Sequence, residues 1–332
     1  MKRYKEFALA VGVALWVWLV WRTGPAILLQ SLQHVGWGMI SLLAIAAARH
    51  AIRSVACRWA MGADRSSFSF PEMYAILLIS EAIKFLALAG LVLGESAKGL
   101  LLSERVSAAR AVSSVVLDVV LYQLSAMLFF LAGAFWLVWR GPIDAELRKA
   151  IWIAVVIMGA ATVLLTAGFA RRWRTTQRIL AKLRGARGRL LVLGRWLSKR
   201  EEKVAEVSAQ ASDFYHHHAR LFYGILLFNL LAHCASALEV WVALYLLGQP
   251  LGYGAAVSVE ALTKLVRITG AVVPANIGVF EGGTALILAA LGIPAAVGVV
   301  LGIVRQVRSL LWAAAGLLVL PLWPGPGVPP RS

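Results

Sequence analysis

Acidic and basic residues recur inside long apolar segments of this chain, where each of them requires a partner or water. Such residues lie within or at the edges of the apolar segments at Glu81, Lys84, Glu95, Lys98, Asp118, Glu239, Glu260, Lys264, Arg267, Glu281, Arg305 and Arg308. An ionised side chain at the centre of a bilayer costs roughly 2.5–3.5 kcal/mol on insertion scales. Glu81 with Lys84, and Glu260 with Lys264, have the spacing of pairs on one helix face and can neutralise each other locally.

The ionisable residues without such a local partner are the candidates for a binding site. Glu95, Asp118, Glu281 and Arg305 form this group, and Arg308 lies one helical turn from Arg305. Two arginines on one helix face can bind a phosphate, and Glu281 would counter them when the site is empty. Alternatively, a buried Glu281–Arg305 ion pair only fixes helix packing. If transport is coupled to protons, Glu281 or Asp118 is the candidate carrier.

A run rich in glycine and proline interrupts the apolar sequence between residues 273 and 283. Pro274 removes a backbone donor, and Gly278, Gly282 and Gly283 weaken helical structure on either side of Asn276. In a bilayer, unpaired backbone groups are tolerated only where protein covers them or where they line a wet cavity. We therefore predict a broken helix that lines a site, the alternative being a short loop outside the membrane.

The composition predicts an all-α polytopic membrane protein, because 60% of the 332 residues are hydrophobic and only 15% are charged. The net charge of +17 favours anionic lipid over nucleic acid as a partner, since the cations concentrate between apolar segments. We expect the basic segment 171–203 to be cytoplasmic, either binding lipid headgroups or only fixing topology. The two cysteines and the three histidines at 216–218 lack the spacing of a metal site, so no metal or cofactor is expected.

The apolar segments predict about six full transmembrane helices and two broken, re-entrant hairpins. The full spans are expected at residues 7–20, 36–61, 108–138, 150–170, 220–247 and 295–320, and the hairpins at 70–102 and 252–293. They form one domain over residues 1–320, with a basic linker at 171–218 and a proline-rich tail at 321–332. Charge asymmetry places both termini in the cytoplasm.

The two hairpin regions resemble each other. Each begins with a Glu–Lys pair and then reaches a glutamate beside glycine, Glu95 or Glu281, followed after 23 or 24 residues by Asp118 or Arg305. Residues 70–138 and 252–320 therefore predict an inverted repeat, an architecture of alternating-access transporters whose site lies between broken helices. The first hairpin is expected to be more continuous, because its break around Gly94 lacks proline.

Four segments resemble the transmembrane region of the lysylphosphatidylglycerol synthase family, which is flippase-like. They are residues 94–99, 109–123, 274–283 and 305–312, and the resemblance covers most of the chain. It is closest to members associated with hopanoid biosynthesis. The resemblance implies an integral lipid translocator, or an accessory to envelope-lipid synthesis, in the cytoplasmic membrane of a prokaryote. Only twelve residues follow Leu320, so we do not expect the soluble aminoacyl-transferring domain of the two-domain members.

Three functions are weighed against these features. In lipid translocation, Arg305 and Arg308 would bind the phosphate, and Glu95 and Glu281 a cationic or hydroxylated part of the headgroup. A second function is a non-transporting scaffold for an envelope-lipid biosynthetic enzyme. The third, a membrane-embedded enzyme, is disfavoured because the sequence shows no paired aspartates, His–Asp pair or nucleophile with a base. No catalytic residue is therefore expected, and the sequence sets no oligomeric state.

Overall fold

The computed structural model describes residues 35–87, 90–170, 218–269 and 277–323, together with scattered positions between 13 and 33. The helices of the four long ranges are α1 (Gly38–Ala60), α2 (Phe70–Leu86), α3 (Gly90–Leu102), α4 (Ala108–Arg140), α5 (Ala145–Ala170), α6 (Ala219–Leu246), α7 (Tyr253–Thr269), α8 (Val279–Ala290) and α9 (Ala295–Val319). A short 3₁₀ helix, Gly62–Ser67, joins α1 to α2. Most of the predicted first span, the basic segment 171–203 and the tail from residue 324 lie outside the described residues.

Helix length and surface confirm the predicted all-α polytopic membrane class. Among the described residues, α1, α4, α6 and α9 are long and apolar enough to cross a membrane, and they coincide with four of the predicted spans. Helix α5 forms where a fifth was expected. Large apolar side chains face outward, including Trp139 at 72% exposure and Leu318 at 71%. Such extensive apolar exposure suits a protein surrounded by lipid.

Each predicted hairpin consists of two helices that are individually short. Helices α2, α3, α7 and α8 contain 17, 13, 17 and 12 residues. At 1.5 Å per residue they extend about 18–26 Å, less than the ~30 Å hydrocarbon core. Ala87 is extended, with ψ 148°, so the first hairpin does break, without proline, before α3 begins at Gly90. In the second hairpin, α7 is described as far as Thr269 and α8 begins at Val279, and residues 270–276 lie outside the described residues.

The helices form two series in the same order, α1–α4 and α6–α9, each with two short helices between two long ones. The series interlock, because α2 packs on α9, α7 packs on α4, and α1 packs on α6. Close contacts depend on glycine. A Cβ on Gly316 of α9 would lie 2.4 Å from the backbone oxygen of Leu78 in α2. A Cβ on Gly133 of α4 would lie 3.0 Å from the backbone oxygen of Val257 in α7.

One end of the bundle collects the ends of α1 and α9 and the start of α4. Arg110 in the first turn of α4 forms a 2.8 Å ion pair with Asp64, which follows α1. Trp323, which follows α9, donates a 2.8 Å hydrogen bond to Glu104, which precedes α4. The first hairpin opens at this end, because α2 follows the 3₁₀ helix and α3 precedes Glu104.

The opposite end collects the start of α1, the ends of α4 and α6, and the start of α7. The position of a Cβ on Gly38 of α1 lies 2.5 Å from a side-chain carbon of Leu246 in α6. Gly254 of α7 similarly abuts the ring of Trp136 near the end of α4. The second hairpin therefore opens at this end. The broken hairpins thus enter the bundle from opposite ends.

Candidate functional site

Asp118 of α4 is the centre of a buried group of charges, the first ion cluster. Its two carboxylate oxygens accept hydrogen bonds from Nη1 and Nη2 of Arg53 at 3.1 Å each, and Oδ2 also accepts from Nζ of Lys98 at 2.8 Å. The thiol of Cys57 donates to the same oxygen at 3.1 Å. Arg53 also donates to the side-chain carbonyl of Asn229 on α6. A single carboxylate therefore joins α1, α3 and α4, and Arg53 extends the group to α6.

The first ion cluster continues along the first hairpin through alternating charges. Lys98 forms an ion pair with Glu95 one turn earlier in α3. Lys84 of α2 contacts Glu95 at 2.9 Å and Glu81 at 2.8 Å, so the predicted local pair also reaches across the break. Within the described residues the cluster contains three cations and three carboxylates, and its charge is balanced: Arg53, Lys84 and Lys98 against Glu81, Glu95 and Asp118.

The second ion cluster surrounds Arg305 and Arg308, which lie near the middle of α9 and are each 3% exposed. Arg305 donates from Nη2 to Glu260 of α7 at 2.7 Å, and its Nε lies 3.4 Å from Glu239 of α6. Arg308 donates from Nη1 to Glu239 at 2.9 Å. The counter-ions of the two arginines are thus Glu239 and Glu260. The predicted pairing of Glu281 with Arg305 is not formed, because these nearer carboxylates occupy Arg305.

Glu281 instead caps the N-terminus of its own helix, α8. Its Oε2 accepts a 2.6 Å hydrogen bond from the backbone N–H of Gly278, which precedes α8. Gly278 has a φ of +83°, a conformation that L side chains rarely adopt, so the break depends on glycine at this residue. Glu281 also lies against α9, where a Cβ on Gly302 would approach its Cα to 2.8 Å. It therefore fixes the break beside the second ion cluster without pairing with either arginine.

Three of the four predicted broken-helix residues lie within helices. Gly94 lies inside α3, and Gly282 and Gly283 lie inside α8, so these three glycines are not the broken backbone. Gly94 and Gly283 permit close packing, since a Cβ would lie 2.7 Å from a backbone oxygen of α2 and 2.4 Å from a side chain of α7. A Cβ on Gly282 meets nothing within 4 Å. Pro274 and Asn276 lie outside the described residues.

Two rings connect the ion clusters. The ring of Tyr122 lies 4.3 Å from the guanidinium of Arg53 and 4.8 Å from the ring of His233 on α6. Nδ1 of His233 lies 3.0 Å from Nζ of Lys264, which contacts Glu260 at 3.2 Å. An ammonium group only donates, so Nδ1 is the acceptor in this contact. An uninterrupted series of buried contacts therefore runs from one cluster to the other.

The structure brings the sequence-selected residues into two groups and adds others. Glu95 and Asp118 share the first ion cluster, and Arg305 and Arg308 share the second. Arg53 was not among the residues predicted from the sequence, although an arginine in the middle of an apolar span indicates a buried partner. The predicted site also omitted Asn229, His233, Glu239, Glu260, Lys98 and Lys264, and each lies in or between the two clusters.

The family model for the transmembrane region of lysylphosphatidylglycerol synthase matches residues 6–316 of this chain. The chain belongs to this family. The match includes both hairpins and both ion clusters, and it confirms the resemblance seen in the four sequence segments. As a member of the lysylphosphatidylglycerol synthase transmembrane family, the chain is an integral multi-pass membrane protein.

Comparisons with curated proteins and with solved structures found no match to the chain. Within the described residues, no three histidine, cysteine, aspartate or glutamate side chains form a group that could hold a metal ion. The charged side chains of the two ion clusters can form ion pairs and charge-assisted hydrogen bonds.

Proposed function

We propose that this member of the family translocates a membrane lipid, whose headgroup passes between the two broken hairpins while its acyl chains stay in the bilayer. The observation that carries the proposal is the placement of the hairpins. They enter from opposite ends of the bundle, and each contributes to a buried ion cluster at the middle of long apolar helices. Broken helices that meet near the bilayer midplane are the sites of many alternating-access transporters.

In this proposal, residues 70–138 and 252–320 are inverted repeats. Their relative movement opens the lipid site to one face of the membrane and then to the other. Arg305 and Arg308 bind the lipid phosphate, and Glu95 and Glu281 bind a cationic or hydroxylated part of the headgroup. The basic segment 171–203 is cytoplasmic and binds anionic headgroups. Both termini are also cytoplasmic, and the membrane is the cytoplasmic membrane of a prokaryote. The matching helix order and the reciprocal packing of α2 on α9 and α7 on α4 support the repeat.

The test is lipid movement in proteoliposomes that contain the purified protein and a phospholipid with a fluorescent headgroup. A reductant that cannot cross the membrane destroys the label in the outer leaflet, so translocation increases the fraction destroyed. We expect wild type to exceed empty liposomes, and Arg305→Ala and Glu281→Gln to lose at least nine tenths of that movement. Arg110→Ala is the matched control, since Arg110 belongs to an exposed ion pair at the end of the bundle.

Each variant must elute as a monodisperse peak before it is compared, because loss of a buried arginine also disturbs folding. Movement that survives unchanged in folded Arg305→Ala and Glu281→Gln would contradict the proposed site. No movement by wild type across phospholipids of different headgroup would contradict translocation itself. It would favour the alternative in which the protein is an accessory to an envelope-lipid biosynthetic enzyme.

A further inference from the structure

The second ion cluster carries an excess of positive charge, whereas the first ion cluster is balanced. Within the described residues, five cations interact in or against this cluster, Arg49, Lys264, Arg267, Arg305 and Arg308, and three carboxylates lie in it or beside it, Glu239, Glu260 and Glu281. The excess is two positive charges even with Glu281 counted, and the Glu281 carboxylate binds the start of α8 without pairing with any of these cations. An excess of charge at the middle of apolar helices is costly without a counter-ion.

Among the described residues, Arg267 is a cation of this cluster without a counter-ion. It lies near the end of α7, is exposed, and makes no ion pair with any described residue. Its guanidinium lies 4.5 Å from the centre of the Phe280 ring, and the guanidinium of the buried Arg305 lies 5.3 Å from the same ring. The two charges repel each other across this ring. Arg267 therefore stands where solvent or a headgroup reaches the second ion cluster.

Each of the two buried arginines of the cluster also has an unpaired hydrogen-bond donor among the described residues. Nη1 of Arg305 and Nε of Arg308 are buried and have no hydrogen-bond partner in the described part of the chain. A buried donor without an acceptor costs about 1–3 kcal/mol, and more when it is charged. Phosphate oxygens accept charge-assisted hydrogen bonds from guanidinium groups with good geometry. An anion that brings several oxygens would satisfy these donors and the excess charge together.

We propose that the second ion cluster binds a lipid with a phosphate monoester headgroup, using Arg267, Arg305 and Arg308, with Phe280 as the ring that holds two of the guanidinium groups in place. This inference rests on the proposed function for its choice of a lipid. The charge decides the headgroup class. A monoester carries about −1.5 to −2 at pH 7 and matches an excess of two. A phosphodiester lipid carries one negative charge, and a zwitterionic lipid carries none in total.

The test compares binding of three lipids to the full-length protein in detergent: phosphatidic acid, phosphatidylglycerol and phosphatidylcholine. We expect phosphatidic acid to bind at least tenfold more tightly than phosphatidylglycerol at pH 7.5. This preference should shrink towards pH 5.5, where the monoester takes up a proton and its charge falls towards −1. Equal affinity for the two lipids at pH 7.5, or a preference that does not change with pH, would overturn the assignment.

Arg267→Gln locates the site, because Arg267 is exposed and forms no ion pair with the described residues, so its replacement leaves the buried ion pairs intact. We expect this variant to lose the tenfold preference, and Arg110→Gln at the other end of the bundle to keep it. A preference retained in Arg267→Gln would place phosphatidic acid elsewhere, for example on the basic segment 171–203, and would overturn the site. Inorganic phosphate is tested in the same binding assay. Binding of inorganic phosphate as tight as that of phosphatidic acid would show that the site binds free phosphate and not a lipid.

Binding and translocation fail separately. Phosphatidic acid that binds through Arg267 while no labelled lipid moves in proteoliposomes would support the site and contradict transport. Conversely, translocation that depends on Arg305 without any preference for the monoester would support transport and contradict the headgroup class.

Discussion

Asp118 illustrates how strongly a single residue can depend on its surroundings in this protein. Its carboxylate is 1% exposed and accepts hydrogen bonds from Arg53 and Lys98 at once. We predict that Asp118→Asn lowers the free energy of unfolding by about 3–5 kcal/mol, because it leaves two buried cations without their shared counter-ion. Thermal unfolding of the purified protein in one detergent measures the loss.

The matched control is Asp64→Asn, which breaks an ion pair to Arg110, a side chain that is 67% exposed. Exposed pairs contribute within ~1 kcal/mol, so this variant should unfold close to wild type. Adding Lys98→Met to Asp118→Asn should recover part of the stability, since one of the two stranded charges is removed. Equal losses in Asp118→Asn and Asp64→Asn would show that Asp118 is not the centre of a buried cluster.

The site was partly predictable at this scale, because charges in apolar segments are conspicuous. Asp118, Arg305 and Arg308 were selected for that reason, and each lies in a buried cluster. Their partners were not predictable, because Glu239 and Glu260 reach α9 from other helices. The spacing of Glu260 and Lys264 also offered a sufficient local pair, which hid the contact of Glu260 with Arg305.

Among the elements, the helices that interlock the two series depend on glycine contacts. A Cβ on Gly316 would lie 2.4 Å from a backbone oxygen of α2, so any larger residue at this position forces α9 away from α2. We predict that Gly316→Ala lowers the free energy of unfolding by about 1–3 kcal/mol, the usual cost of overpacking. Gly159→Ala on α5 is the control, because nothing lies within 4 Å of its Cβ. If both variants unfold at the same temperature, α9 and α2 are not in close contact.

The second break offers a comparison of two glycines that are four residues apart. Gly278 has a φ of +83°, whereas Gly282 lies within α8 with open space beside it. We predict that Gly278→Ala costs about 1–3 kcal/mol, through backbone strain, and reduces lipid movement. Gly282→Ala should keep both stability and movement, since alanine favours a helix. Thermal unfolding measures the stability of both variants, and the proteoliposome assay measures their lipid movement. A Gly278→Ala variant with unchanged stability and movement would show that the break does not need this backbone conformation.

Helix positions were easier to predict than the breaks within them. The lengths of the apolar segments located α1, α4, α6 and α9 to within a few residues. The first break was predicted several residues too late, and two glycines of the second run were assigned to the break, because glycine has two uses that look alike in sequence. Gly94 and Gly283 allow neighbouring helices to approach, whereas the chain leaves α2 at Ala87 and enters α8 at Gly278.

For the whole molecule, the open question is which end of the bundle faces the cytoplasm. The basic linker and the arginines near the first hairpin predict that the end containing the 3₁₀ helix is inside. We predict that a cysteine at Ser66, an exposed residue of that helix, reacts with a membrane-impermeant maleimide only after cells are permeabilised. A cysteine at Gly252, which is exposed at the opposite end with nothing within 4 Å, should react in intact cells.

The unmodified protein is the control for its own cysteines, of which Cys57 is buried and Cys234 is exposed. Labelling of Ser66→Cys in intact cells and protection of Gly252→Cys would reverse the orientation. It would also move the basic linker outside, against the charge rule. Labelling of both sites in intact cells would show that the two hairpins do not open on opposite sides.

The packing of α2 on α9 has a consequence for how the protein is made. Roughly 210 residues separate the end of α2 from the start of α9, and ribosomes add about 5–20 residues per second. The first hairpin is therefore in the membrane for roughly 10–40 seconds before α9, the helix on which α2 packs, is synthesised. During that interval the part of α2 that will contact Gly316 of α9, at Leu78 and Ala82, lacks its final neighbour. Assembly of the two halves is thus one of the last events in the biogenesis of this protein.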